Sequence, residues 1–249
     1  MTSSDLWTRE TAEAYDADEA EMFDPAVLDP TLHVLEHLAD GGPVLELAVG
    51  TGRVAVPLAD RGLAVAGIEL SAPMVEVLHR KRPGLPVTVG DMATATAPSS
   101  VAAPGSFTLV YLVFNTLGNL RTQDEQVACF ANAARHLAPG GRFVIEQFVP
   151  HLRRFPPGQA AVPFDVSEAH TGFDVYDQAT QEGTSHHFTR ADDGSYRYGV
   201  HHFRYVWPAE TDLMARLAGL VPESRHADWA GTPFTGDSGS HVSVWRKPG

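Results

Sequence analysis

Between residues 44 and 148, short apolar runs alternate with segments whose apolar residues recur every three or four positions. The runs at 44–48, 64–69, 87–89, 107–114 and 142–148 predict β-strands, and the segments at 53–61, 72–82 and 123–137 predict helices between them. Ser71 is placed to cap the second helix, with Pro73 tolerated in its first turn. The third opens on a capping box, Thr122-x-x-Glu125, and sets Val127, Phe130, Ala131, Ala134 and Leu137 on one face. Such alternation predicts an α/β fold, a parallel sheet with helices on both faces. Ahead of it, Leu32, Leu35 and Leu38 predict a helix over 31–39, ended by Gly41-Gly42-Pro43.

After Pro150 the pattern changes. A stretch rich in Pro, Gly and Arg (151–163) predicts a connecting loop, and 172–206 predicts short antiparallel strands with a hairpin turn at Asp193-Gly194. A helix is expected over 208–218, stopped at Gly219, and two last strands near 225–229 and 241–245.

Composition narrows the function classes. The 249 residues are 43% apolar and 20% charged, enough for a sizeable core. No apolar run approaches the ~20 residues of a membrane helix, and the first residues lack the basic and apolar regions of a secretory signal. A single cysteine, Cys129, excludes an internal disulfide framework and a multi-cysteine zinc site. The net charge of −13 disfavours a grip on nucleic-acid phosphates. Nine carboxylates fall in residues 1–30, read as a solvated helix face. The expectation is a cytoplasmic protein with a small-molecule partner, no nucleic acid and no membrane. The oligomeric state is left open, a homodimer included.

The candidate chemistry begins at Glu46-Leu47-Ala48-Val49-Gly50-Thr51-Gly52-Arg53, between the first strand and first helix. Small residues there let the backbone approach a ligand, and the helix start offers unpaired N–H groups. Glu69, at the end of the second strand, is placed to accept both hydroxyls of a ribose. Gly50-x-Gly52-x-x-Ala55 also matches a dinucleotide fingerprint, so an NAD-dependent oxidoreductase is an alternative. Glu46 argues against it, because a carboxylate beside a pyrophosphate is repulsive while one beside an amino group is favourable. Asp91, after the third strand, is placed to accept from an exocyclic adenine amine.

These residues, with Pro139-Gly140-Gly141, stand in an order that resembles the class I S-adenosylmethionine-dependent methyltransferases over residues 44–148. Residues 8–16 resemble that family's N-terminal helix, and Ala48 stands where many members have glycine. The resemblance implies a Rossmann-like, seven-stranded, mostly parallel sheet whose last two strands form the antiparallel edge. It also implies a small antiparallel lid inserted after the fifth strand. Domains are expected at 1–40 (helical cap), 41–150 (cofactor-binding core), 151–206 (lid) and 207–249 (last helix and strands). The implied cofactor is S-adenosyl-L-methionine. Glu46, Ala48, Gly50, Gly52 and Arg53 would hold its methionine end, closed over by Tyr15. Glu69 would take the ribose, with Leu70 and Met74 beside it. Asp91 and Met92 would read the adenine, and Phe114 and Asn115 would flank the sulfonium. The implied reaction is methyl transfer to an oxygen or nitrogen of a small molecule, such as a secondary metabolite. A rearrangement or cyclisation on the same scaffold is a second alternative.

Eight of the twelve histidines follow Pro150, including the doublets His186-His187 and His201-His202. Placed about equally far from Asp193-Gly194, the doublets are expected to pair across the hairpin, with one member of each facing a shared pocket. Scaffold, proton transfer and metal ligation all remain open for them, although no spacing such as H-x-x-x-H supports a metal. The catalytic candidates are His187, His202 and Glu146, and the substrate-binding candidates are Asn119, His186 and His201. Arg153-Arg154 are read as surface charges of the loop, or as partners of a substrate anion.

Overall fold

The computed structural model describes residues 8–150, 156, 158–191 and 193–249. Five strands, β1 (Val44–Leu47), β2 (Val65–Glu69), β3 (Val87–Val89), β4 (Phe107–Leu112) and β5 (Leu137–Phe148), run parallel. The strands β6 (Ala161–Val166), β7 (His170–Asp177), β8 (Glu182–Arg190) and β9 (Tyr196–Arg204) form a separate antiparallel sheet in sequential order. The chain then returns through a helix over Pro208–Leu217 to β10 (Val221–His226) and β11 (Ser240–Arg246), which pair antiparallel, β11 lying against β5. The larger sheet therefore has seven strands in the order β10-β11-β5-β4-β1-β2-β3.

The helices are α1 (Arg9–Asp18), α2 (Pro25–Ala39), α3 (Ala55–Asp60), α4 (Ala72–Lys81), α5 (Gln123–His136) and α6 (Pro208–Leu217). They cover both faces of the larger sheet, which is why β1 and β2 are buried at every position, Glu46 and Glu69 included. Leu45, Ile68, Val110, Phe143 and Trp245 pack on the face that meets α5, where Phe130 stands edge-on to Phe143 at 5.1 Å and to Trp245 at 5.4 Å. Val44, Leu109, Tyr111 and Val144 pack on the other face with Leu35 and Leu58. Ser71 and the Thr122–Glu125 box cap α4 and α5 as expected. No helix among the described residues is long and apolar enough to cross a membrane.

Several boundaries differ from expectation: β6 already begins at Ala161 inside the expected 151–163 loop, β7 begins at His170 ahead of the expected 172, and α3 is trimmed to Ala55–Asp60. Asp24 caps α2 through the Ala26 amide and Pro25 occupies its first turn, so the helix starts six residues before Thr31. Strand β5 starts at Leu137, because the Gly140 amide donates to the Lys247 carbonyl (2.8 Å) and the Lys247 amide to that of Gly141 (2.8 Å). A Cβ at Gly141 would lie 2.9 Å from the Phe107 carbonyl oxygen, so only glycine fits. Strand β10 ends at His226 rather than running over 225–229, since it is an edge strand whose bulge tolerates Pro222, while Trp229 packs against the core.

Candidate active site

The turn from β1 to α3 owes its shape to three left-handed residues, Ala48 (φ 52°), Gly50 (φ 55°) and Gly52 (φ 84°). A Cβ at Gly52 would lie 2.8 Å from Val56 Cγ2, whereas Ala48 bears the strain of a Cβ at positive φ. Glu69 closes the turn from β2: its Oε2 accepts from the Gly50 amide at 2.9 Å and its Oε1 from the Ser71 amide at 2.8 Å. Burial pushes its pKa up, and these backbone donors pull it back. Beyond β3, Asp91 accepts from the Ala93 amide at 2.7 Å, which fixes its carboxylate at the strand end.

At the end of β4, Phe114 and Asn115 are both left-handed (φ 58° and 59°), a costly pair for residues with side chains. Their support comes from β5. The Phe114 amide donates to Glu146 Oε2 at 2.8 Å, the Asn115 amide to the Glu146 carbonyl at 3.2 Å, and the Phe148 amide to Asn115 Oδ1 at 2.6 Å. Arg53 stacks its guanidinium over the Phe114 ring, 5.2 Å from the centroid.

Helix α1 lies over the same mouth. Asp16 clamps it, accepting from Thr51 Oγ1 at 2.5 Å and from Lys81 Nζ at 2.6 Å. That contact sets Tyr15 and Glu19 against the opening; burial pushes the Tyr15 hydroxyl up to about 12 and also raises Glu19.

These parts enclose a cavity of about 410 Å³. Ala48, Gly50, Glu69, Leu70, Met74, Asp91 and Met92 form one end. Phe114, Asn115 and Asn119 form the middle, Tyr15 and Glu19 one side, and His187 and His201 of the four-stranded sheet the far wall. His201 Nε2 donates to Asn119 Oδ1 at 3.0 Å, tying that sheet to the loop after β4. Burial first, and neighbouring histidines second, lower the proton affinity of both His187 and His201.

Six of the residues expected at the site do not line the cavity. Glu46 is 3% exposed and accepts from the Tyr111 hydroxyl at 2.7 Å. Gly52 is packed against Val56 and Leu78. Arg53 and Glu146 act on Phe114, the one on its ring and the other on its amide. His186 and His202 face away, because the hairpin register pairs His187 with Gly199 and His186 with Val200. The turn closes through the Ala191 amide on the Ser195 carbonyl with Gly194 left-handed (φ 82°), and the doublets are therefore staggered rather than opposed. His186 stacks on Phe173 at 4.8 Å and meets the Tyr198 hydroxyl at 2.7 Å; His202 meets Thr184 Oγ1 at 3.0 Å. Among the described residues no cluster of three acidic, His or Cys side chains could hold a metal. Residues 1–7, His151 and the Arg153-Arg154 pair lie outside the described residues.

The cavity also contains Glu19, Ile68, Gly90, Thr116 and Leu120, which pattern reading passed over. Gly90 and Ile68 adjoin motif residues, so their positions were inferable; Glu19 looked like one more solvated acid.

The donor set fits a nucleoside bearing an amino acid. Backbone-anchored carboxylates at the ends of β2 and β3 can accept from hydroxyls and an exocyclic amine, and the strained turn brings bare backbone to the cavity edge. A family model described as a methyltransferase domain matches residues 44–141. Cypemycin N-terminal methyltransferase from Streptomyces sp is 30% identical over 206 residues, 80% of each chain. The solved structure of the CcbJ methyltransferase from Streptomyces caelestis is 35% identical, with a TM-score of 0.76 over 89% of this chain and 90% of that one. A dTDP-3-amino-3,6-dideoxy-alpha-D-glucopyranose N,N-dimethyltransferase from Streptomyces fradiae is 30% identical over 158 residues, 62% of this chain and 59% of its own. The chain belongs to the class I S-adenosylmethionine-dependent methyltransferases. Its cofactor is S-adenosylmethionine, and it is a methyltransferase rather than a dehydrogenase.

Proposed function

We propose that the protein methylates an amine nitrogen of a small molecule. The observation that carries this reading is that one cavity joins the cofactor-side residues Glu69, Asp91 and Phe114 to His187 and His201 of the four-stranded sheet. Two relatives carry names that support this reading, the cypemycin N-terminal methyltransferase and the N,N-dimethyltransferase of a dTDP-linked amino sugar. In this reading residues 41–150 carry the cofactor, 151–206 form the lid over the acceptor, and 1–40 and 207–249 complete the walls. Glu69 takes the ribose hydroxyls, Asp91 and the Met92 backbone the adenine, and Ala48, Gly50 and Tyr15 the methionine end.

Bound S-adenosylmethionine supplies an electrophilic methyl group on a sulfonium. The protein's own contribution is to exclude water, align the acceptor, and free its lone pair. Phe114 and Asn115 present a rigid wall at the mouth, and neutral His187 can take the proton of a bound ammonium. The acidic chain, at −13, supports a small cationic acceptor over a nucleic acid.

The test is a mass-spectrometric assay with S-adenosylmethionine and a panel of amino sugars and short peptides with free N-termini, each beside its hydroxyl counterpart. Methyl gain on amines alone is expected; gain on the hydroxyl compounds alone overturns the assignment. With a competent amine, His187→Asn should lose about 10²–10⁴-fold in rate. His186→Asn and His202→Asn, on the opposite face, should stay within a few-fold of wild type.

A further inference from the structure

His187 is joined on its other side to a second histidine and a carboxylate that methyl transfer itself does not require. Asp165 Oδ2 accepts from His170 Nδ1 at 2.6 Å, and His170 Nε2 meets His187 Nδ1 at 3.1 Å. The chain begins at the cavity wall, with His187, and ends at a carboxylate whose side chain is 42% exposed. It thus runs along one face of the four-stranded sheet, across β8, β7 and β6, from cavity to surface.

Local sequence builds this path. His187 pairs with Gly172 on β7 and Gly199 on β9, so neither register partner carries a side chain and its ring can lie over toward His170. The register of β6 slips between Pro163 and Asp165, and a bulge of this kind brings Phe164 and Asp165 toward the same neighbours. The Phe164 ring fills the room left by Gly172, where a Cβ would lie 2.2 Å from Phe164 Cζ. It packs 5.3 Å from the His187 ring and 6.1 Å from that of His170, which walls the pair off on that side.

We propose that Asp165, His170 and His187 form a proton relay that draws the acceptor's proton out of the cavity to the lid surface. The proposal rests on the amine-methylation reading above. An ionised Asp165 can only accept, so neutral His170 carries its proton on Nδ1 and accepts at Nε2 from the Nδ1–H of His187. His187 Nε2 is then left bare toward the cavity. In the reaction the acceptor N–H proton passes to that nitrogen as the N–C bond to the methyl forms. The S–C bond breaks with its electron pair going to sulfur, leaving S-adenosylhomocysteine. The Nδ1 proton of His187 then moves to His170 Nε2, and the His170 Nδ1 proton leaves by way of Asp165; both rings are now protonated on Nε2, and exchange of those protons with water, with Nδ1 protonated again, resets them for the next turnover.

His187 is the catalytic residue; His170 and Asp165 act through it as positioning residues. The charged and titratable groups around His187 are Asp174 and His170 on β7, Asp165 on β6, His186 beside it and His201 on β9. Across the cavity stand Glu19, Glu69 and Asp91. Burial and His170 both disfavour the charged ring, with Asp174 opposing them, so His187 stays neutral and ready to accept.

The test is ¹⁵N-imidazole NMR of the full chain with S-adenosylhomocysteine bound, comparing wild type with Asp165→Ala, His170→Phe and His170→Gln. The expected wild-type spectrum shows His187 protonated on Nδ1. Asp165→Ala and His170→Phe should mix the His187 tautomers and shift its midpoint. His170→Gln should keep the tautomer through its amide oxygen, yet lower the rate with a competent amine by at least about tenfold at unchanged cofactor KM. A wild-type His187 protonated on Nε2, or a His187 signal identical in all four proteins, overturns the relay. The spectra need no acceptor, so the two readings fail separately. A relay seen without amine methylation leaves the relay standing and sinks the amine assignment, and the converse sinks the relay alone.

Discussion

The Tyr111 hydroxyl donates to Glu46 Oε2 at 2.7 Å where both side chains are almost wholly buried, under the turn that carries Ala48 and Gly50. Burial pushes the Glu46 carboxyl up to about 8, against the opposing pull of Tyr111 and Arg53, and raises the Tyr111 hydroxyl as well. A carboxyl whose folded pKa lies above its free value of 4.5 costs stability as pH rises, because the unfolded chain ionises first. Thermal melts of ligand-free protein should therefore show Glu46→Gln gaining on wild type between about pH 4.5 and 8. Tyr111→Phe should cost about 1–3 kcal/mol by leaving the buried carboxyl without its donor. A Glu46→Gln difference flat across that range would place the carboxyl in contact with water instead.

Glu69 holds two turn amides as well as facing the cavity, so its loss should be felt twice. Glu69→Gln sets an amide NH₂ against one of those backbone donors. Calorimetry should show S-adenosylhomocysteine binding weakened by about 1–3 kcal/mol, with a lowered melting temperature. A lowered melting temperature at full affinity would make Glu69 purely architectural.

Asp16 links α1 to the turn and to α4 through Thr51 and Lys81, and so sets where Tyr15 lies. Asp16→Ala should weaken cofactor binding by up to about tenfold, the modest scale of a partly exposed ion pair. Because Asp16 and Lys81 are each about a third exposed, raised salt should shrink the difference from wild type. Equal affinities for Asp16→Ala and wild type at low salt would mean that α1 docks without this clamp.

His241 predicts acid sensitivity. It is fully buried beside Ser243, and burial, aided by the Arg225 charge, lowers its pKa to about 4. A depressed histidine binds its proton first in the unfolded chain, so stability is lost as pH falls from about 6.5 toward about 4. That shift corresponds to about 3 kcal/mol. Glu46 acts in the opposite sense over part of the same range, so the clean measurement is the difference between wild type and His241→Phe. The variant should melt closer to wild type at pH 7 and pull ahead as pH drops; parallel curves would show that His241 stays neutral throughout.

Local patterning carried much of the fold. The apolar runs of β1, β2 and β4, the Ser71 cap and the Thr122–Glu125 box are properties of a few adjacent residues, and each forms where pattern and capping chemistry put it. Strand β5 was legible only from Arg142 onward, because Gly140 and Gly141 in its first part are held by Lys247, a partner about a hundred residues away, and Leu137 by pairing with Phe107.

The sequence by itself determined the order of strands and helices, the glycine turn, and acids at the ends of β2 and β3, because spacing along a strand or turn fixes where a residue sits on its own element. Tertiary structure alone decided what those residues touch. Glu46 and Glu146 read as site carboxylates, yet Tyr111 and the Phe114 amide, brought in by β4, claim them. The histidine doublets read as facing pairs, yet the register set by the turn staggers them and sends only His187 and His201 to the cavity. Alternation along a strand settles that two neighbours point oppositely; which of them points inward depends on pairing register and on how one sheet packs against another, and no local spacing encodes either.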